Sequence, residues 1–108
     1  INNIRLGGID KLNAVYGDIT NYETNEKFDC VTLLEVLEHI PNVLAAIKNA
    51  VKLSREYIIV TVPSKEDDNP EHIHLLTKDI LIKYFNECGV YNLKFSGVNG
   101  HLVLIARK

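Results

Sequence analysis

Two carboxylates and an imidazole lie within five residues of one another at Glu35, Glu38 and His39, in the run Glu-Val-Leu-Glu-His. On a short turn, this E-x-x-E-H spacing offers hard oxygen and nitrogen donors of the kind that suit Mg²⁺, Mn²⁺ or Zn²⁺. The same residues could instead cap the following helix or hydrogen-bond locally. That local use is the reading taken here, with Glu35, Glu38 and His39 kept only as metal-ligand candidates. Asp18, in the pair Gly17-Asp18, is a carboxylate at the close of an apolar run, able to accept a hydrogen bond from a ligand or to stabilise its own turn. His72 and His74 could supply a further ligand or a proton acceptor. Alternating residues of an extended loop point to opposite sides, so at most one of the two should face any site. No residue declares itself catalytic.

The elements that must position these groups follow from hydrophobic pattern and punctuation. Ile1 to Leu6 reads as the tail of a helix stopped by Gly7 and Gly8, and Leu12 to Tyr16 as a short strand. Phe28 to Leu34 (FDCVTLL) and Tyr57 to Val62 (YIIVTV) are nearly continuous apolar and β-branched runs, the pattern of central strands covered on both faces. Between them Pro41 suits a first helical turn, and Val43, Leu44, Ile47 and Val51 recur at helical spacing up to Leu53. Strand, helix and strand of these lengths make a right-handed βαβ unit. The polar stretch after Pro63 reads as a loop. Thr77 then suits a helix N-cap, with Ile80, Leu81, Tyr84, Phe85 and Cys88 on one face and Gly89 just past the end. Two terminal strands flank Val98-Asn99-Gly100, whose Asn-Gly pair supplies the positive φ angles of a tight hairpin. The class is α/β.

The chain has 108 residues, 46% of them apolar, enough for one core and hence one domain or a piece of one. A formal net charge of −2, with both signs interspersed, argues against a nucleic-acid backbone or an anionic membrane surface as the main partner. No apolar stretch is long enough to span a bilayer and no basic-then-apolar leader is present, so a soluble, cytoplasmic protein is expected. Cys30 and Cys88 sit inside apolar runs and read as small buried hydrophobes in a reducing compartment.

Three stretches in order, YGDI at Tyr16 to Ile19, FDCVTLLEVLEHIPN at Phe28 to Asn42 and IIVTVPS at Ile58 to Ser64, resemble the second half of class I S-adenosylmethionine-dependent methyltransferases, and most closely the type 11 and 12 group. The run from His72 to Val90 is similar to that family's helix before the terminal hairpin. The resemblance covers essentially the whole chain. It implies a Rossmann-like, doubly wound, mostly parallel sheet ending in an antiparallel hairpin, with S-adenosyl-L-methionine as cofactor. It places adenine at Asp18 and the backbone N–H of Ile19, and the methionine part and transferred methyl beside Leu34 and Glu35. The side chains of Leu33 and Leu34 are expected in the core. Similar E-x-x-E-H segments hold a divalent cation in some relatives, which is the ground for the metal candidates.

The family's G-x-G-x-G loop is absent from this sequence, as is the acidic residue after a second strand. In the implied sheet order 3-2-1-4-5-7-6, this chain holds strands 3 to 7. The expectation is therefore that residues 1–108 are the carboxyl-terminal portion of a single methyltransferase domain. Its amino-terminal part would lie elsewhere or come from another chain, leaving an apolar strand edge prone to self-association. Methyl transfer to a small-molecule acceptor is the first reading. The donor sulfonium is already activated, so positioning supplies much of the acceleration and an obvious base is not required. The alternative is a noncatalytic methyltransferase-like remnant or interaction module pairing through its open edge. A dinucleotide-binding dehydrogenase would need a glycine phosphate turn, which is lacking.

Overall fold

The computed structural model describes residues 2–3, 13–14, 19–20, 22–64 and 75–108, the first two pairs by backbone alone. The elements in chain order are β1 (Asn2–Asn3), β2 (Asn13–Ala14), β3 (Phe28–Leu34), a 3₁₀ turn (Leu37–His39), α1 (Val43–Leu53), β4 (Ser54–Pro63), α2 (Lys78–Glu87), β5 (Asn92–Val98) and β6 (His101–Arg107). β3 to β6 form one four-stranded sheet in the order β3-β4-β6-β5, the 4-5-7-6 half of the implied arrangement. β3 and β4 run parallel, while β6 is antiparallel to both β4 and β5.

β1 and β2 pair antiparallel in a separate two-stranded ribbon. Asn2–Asn3 is thus a strand end and not the helix tail expected from Ile1 to Leu6. Asparagine is a poor helix former, and here ladder hydrogen bonds win. Gly7, Gly8 and the remainder of that expectation lie outside the described residues.

Side-chain alternation divides the sheet into two unequal faces. Ile58, Val60 and Val62 of β4, Leu33 of β3 and Leu104 and Ala106 of β6 are buried on one face, in a single core with both helices. α1 buries Val43, Ala46, Ile47, Ala50 and Leu53. The packed stripe therefore runs through Ala46 and Ala50, whose small side chains allow close approach, while Leu44 and Val51 sit at its margins only half-buried. α2 buries Leu81 and Phe85 completely, with Ile80, Tyr84 and Cys88 packed beside them. On the opposite face Cys30, Thr32, Leu34 and Ile105 are exposed, and no described helix covers them.

β4 is central, as its apolar run predicts. β3 is not: it stands at an edge, and its outer backbone has no strand partner among the described residues. The continuous apolar pattern of FDCVTLL overstates its cover, and Cys30, expected to be buried, is exposed.

Local chemistry sets the element ends. The Thr77 hydroxyl accepts from the Ile80 N–H at 3.3 Å, and Gly89 follows α2 at φ 80°, a conformation only glycine takes without strain. The N-cap of α1 is Asn42, whose side chain accepts from the Ala45 N–H at 3.1 Å, so Pro41 stands before the helix and not in its first turn. α1 passes into β4 without a loop. The Lys108 ammonium donates to the Val51 and Ser54 carbonyls at 2.7 and 2.8 Å, satisfying the helix end. Partial burial there, with Lys27 nearby, holds that ammonium below the ordinary lysine range. Asn99 and Gly100, at φ 45° and 83°, make the two-residue turn between β5 and β6.

Among the described residues Phe85 is the largest fully buried side chain, and it lies in the core that α2 shares with the sheet. Phe85→Ala is expected to destabilise the fold by about 3 to 5 kcal/mol, read as a lowered midpoint in denaturant unfolding followed by circular dichroism.

Candidate functional site

Parallel strands β3 and β4 end side by side, and ligands of open α/β sheets bind at such carboxyl ends. The last ladder contact between them is double. The Glu35 N–H donates to the Thr61 carbonyl at 2.9 Å, with the Thr61 hydroxyl also within reach at 3.1 Å. Immediately after it the chain turns through Glu35 itself, at φ 56°. A non-glycine residue in this left-handed region costs of order 1 to 3 kcal/mol and is found mainly where the surroundings over-determine it, often at a site.

The turn continues through Val36 into the 3₁₀ segment, with the His39 N–H on the Val36 carbonyl and the Ile40 N–H on that of Leu37, both at 3.1 Å. Leu37 and Glu38 are fully buried. His39 is exposed, its Nε2 lying 3.5 Å from Glu38 Oε1. Glu38 and His39 therefore pair locally, while the capping expected of them falls to Asn42. The three metal candidates do not converge: Glu35 turns toward a different strand. Among the described residues no group of three or more His, Cys, Asp or Glu side chains is placed to hold a metal ion.

The partner of Glu35 is His101, the first residue of β6. Glu35 Oε1 contacts His101 Nδ1, with both side chains partly open to solvent. The second oxygen, Oε2, is buried and has no hydrogen-bond partner among the described residues. His101 pairs with Pro63, the last residue of β4. The Ser64 N–H donates to the Gly100 carbonyl at 2.8 Å and pins the hairpin tip to that same strand end.

Of the other half of the expected site, Ile19 lies against α1. Asp18 is outside the described residues, as are His72 and His74. Ile19 is half-buried against the core. Its carbonyl accepts from Asn49 Nδ2 at 2.6 Å, and that nitrogen also donates to the Tyr22 carbonyl at 2.8 Å. One amide of α1 thus fixes the segment that follows Asp18. Leu34 is 56% exposed, not core as expected, whereas Leu33 is buried. Successive strand residues take opposite faces, so only one of the pair can enter the helix-covered core.

His101, Thr61 and Asn49 were not singled out in the sequence. The hairpin signal places His101 at the start of β6 beside the end of β5, and only the sheet order brings it to the end of β4. Asn49 has no such signal, being one polar residue on an amphipathic helix. The Cys88 thiol is pushed up by burial, with Lys48 opposing and Glu87 adding to the shift, and its side chain packs against the core.

The comparisons agree with this architecture. The family of methyltransferase domains matches residues 8–94, and the chain belongs to that family. No curated protein matches by sequence. Among solved structures, the magnesium protoporphyrin IX methyltransferase of Synechocystis with bound SAH superimposes with a TM-score of 0.66 at 15% identity, covering 85% of this chain and 49% of that one. A SAM-dependent methyltransferase from Thermotoga maritima gives 0.71 at 14% identity, covering 85% and 61%. An O-methyltransferase family protein from Burkholderia thailandensis gives 0.67 at 16% identity, covering 84% and 33%. The fold is the Rossmann-like α/β fold of these enzymes, and the chain spans half or less of the length of the first and third.

Replacing Asn49 by Leu keeps the side-chain bulk but removes both hydrogen bonds. The expected loss is about 1 to 3 kcal/mol of stability. Amide hydrogen exchange should quicken locally at Thr20 and Tyr22; unchanged protection there would show that Asn49 does not hold the segment.

Proposed function

We propose that this chain is the carboxyl-terminal part of an S-adenosylmethionine-dependent methyltransferase acting on a small molecule. Membership of the methyltransferase-domain family supports the reaction class, and two neighbouring structures of one enzyme were solved with SAH and with SAM. The observation that carries the reading is Glu35. It is a left-handed residue at the carboxyl end of a parallel strand, with one buried carboxylate oxygen that no described group satisfies.

An unsatisfied buried carboxylate oxygen is costly, and a cationic or hydrogen-bond-donating ligand relieves it. The methionine part of the cofactor carries an ammonium and a sulfonium, so the anionic, hydrogen-bond-accepting Glu35 carboxylate fits the group. In this reading Leu34 and Glu35 border the methionine part. Asp18 and the Ile19 N–H receive the adenine, on a segment braced by Asn49. When bound, the cofactor supplies a methyl group on sulfur that needs no further activation. The chain's own residues then have to orient the acceptor and manage its proton. The acceptor side is expected to include the stretch from Ser64 to Leu76, of which residues 65–74 lie outside the described residues.

The mixed surface charge favours a small acceptor over a polyanion. A cytoplasmic setting is consistent with the free cysteines. In isolation the exposed edge of β3 is a route to self-association, and its presence favours the second reading, a noncatalytic module that pairs through that edge.

Isothermal titration of S-adenosylhomocysteine into the full-length protein carrying this domain tests the proposal. One-to-one binding in the micromolar range is expected, weakened about tenfold by Asp18→Ala, the loss of one hydrogen bond to a ligand. Absence of binding would overturn the enzymatic reading and leave the noncatalytic one.

A further inference from the structure

We propose that Glu35 and His101 act as a carboxylate–imidazole pair in which His101 takes the proton from the methyl acceptor. The acceptor would therefore bear a hydroxyl or N–H that must be deprotonated as it is methylated. This rests on the methyl-transfer reading above and adds to it a catalytic residue and a class of acceptor.

Glu35 closes β3, Ser64 follows β4 and His101 opens β6, so three segments meet at the carboxyl end of the parallel pair. Both partners are held from behind. Glu35 is fixed by the Thr61 contacts to its N–H, and His101 by pairing with Pro63 and by the hairpin tip that Ser64 secures. A group held in this way on strand ends is preorganised in a manner that loop residues seldom are.

The contact joins Glu35 Oε1 to His101 Nδ1, not Nε2. A carboxylate on Nδ1 keeps the proton on that nitrogen and leaves Nε2 with a free lone pair. Nucleophile-activating histidines are oriented by a third group in the same way. The His101 side chain is 48% exposed, so a small molecule can reach it.

The strained residue is itself a carboxylate. Glycine would take the φ of 56° without strain, but it would carry no carboxylate to the His101 ring. A strained backbone combined with a directed carboxylate is what a positioning residue requires.

The proton step balances within the chain and its acceptor. The acceptor's O–H or N–H bond breaks, the electron pair stays on oxygen or nitrogen, and a new N–H bond forms at Nε2. The imidazolium charge is then stabilised by Glu35, and the proton leaves to solvent across the exposed ring. An acceptor that is already anionic, such as a carboxylate, would not need the pair.

The experiment uses ¹⁵N-labelled full-length protein in alkaline buffer. Imidazole ¹H–¹⁵N spectra should show His101 carrying its proton on Nδ1, with that tautomer lost in Glu35→Ala. Diethyl pyrocarbonate, an electrophile that reports a free imidazole lone pair, should modify His101 several-fold more slowly in Glu35→Ala, as read by peptide mass spectrometry. His101→Asn should bind S-adenosylhomocysteine as the parent does. A proton on Nε2 in the parent, or equal modification rates in the parent and Glu35→Ala, overturns the proposal while leaving cofactor binding intact. Absence of S-adenosylhomocysteine binding by the parent overturns the methyl-transfer reading, and the proposal falls with it.

Discussion

The constraint on which the rest depends is the exit of the chain from β3. The strand must end level with Thr61 of β4 and then turn back over the sheet to begin α1. The contacts from the Glu35 N–H to Thr61 fix the height of that exit, and the positive φ at Glu35 fixes its direction. From there a single 3₁₀ turn buries Leu37 and Glu38, and Asn42 starts the helix. If the exit were one residue later, the side chains after it would change faces and Leu37 would leave the core. The strained residue is thus also the hinge of the βα connection. Site and fold share one backbone geometry, so neither can be altered there independently of the other.

What was legible in the sequence is what local chemistry dictates. Thr77 and Gly89 bound α2, and Asn99-Gly100 closes the hairpin, because each of these residues satisfies a backbone requirement within four positions of itself. The apolar run of β4 was equally plain, since a central strand buries one face and half-buries the other. What escaped reading is what distant segments decide. Leu34 and Cys30 lie in a run with the composition of a strand covered on both faces, yet no described helix covers the face they occupy and they are exposed. Asn2–Asn3 pairs with a segment ten residues away, which short-range propensity does not reveal. In the site, Glu35 could be named from its place at a strand end. His101 could not be joined to it without the order of the sheet.

The two faces of the sheet differ in how far their burial is complete. On one, side chains of Ile58, Val60, Leu104 and Phe85 reach zero exposure, and two helices seal them. On the other, Leu34 and Ile105 remain open, although a strand run as apolar as β3 has the composition of a covered element. The chain also spans half or less of the length of two of its structural neighbours. Packing and the candidate site accordingly draw on different parts of this polypeptide. The helix-covered face carries the packing energy, while Leu34, Glu35 and His101 lie toward the open side, where the backbone ends are accessible.

An antiparallel strand is an unexpected contributor to the carboxyl end of a parallel pair, and its direction explains how it contributes. Because β6 runs against β4, its first residue lies beside the last residue of β4, and Pro63 faces His101 in the register. A two-residue turn is short enough to hold that first residue at the edge of the sheet, where a longer loop would lift it away. Strand period decides the rest. His101 alternates with Leu102, and Leu102 packs against the core, so His101 must take the face on which Leu34 is exposed. A slip of one residue in the hairpin would direct the imidazole into the helix-covered face and a leucine toward Glu35. The positive φ angles of Asn99 and Gly100 prevent that slip, and through them a turn remote from Glu35 in sequence determines which side chain its carboxylate meets.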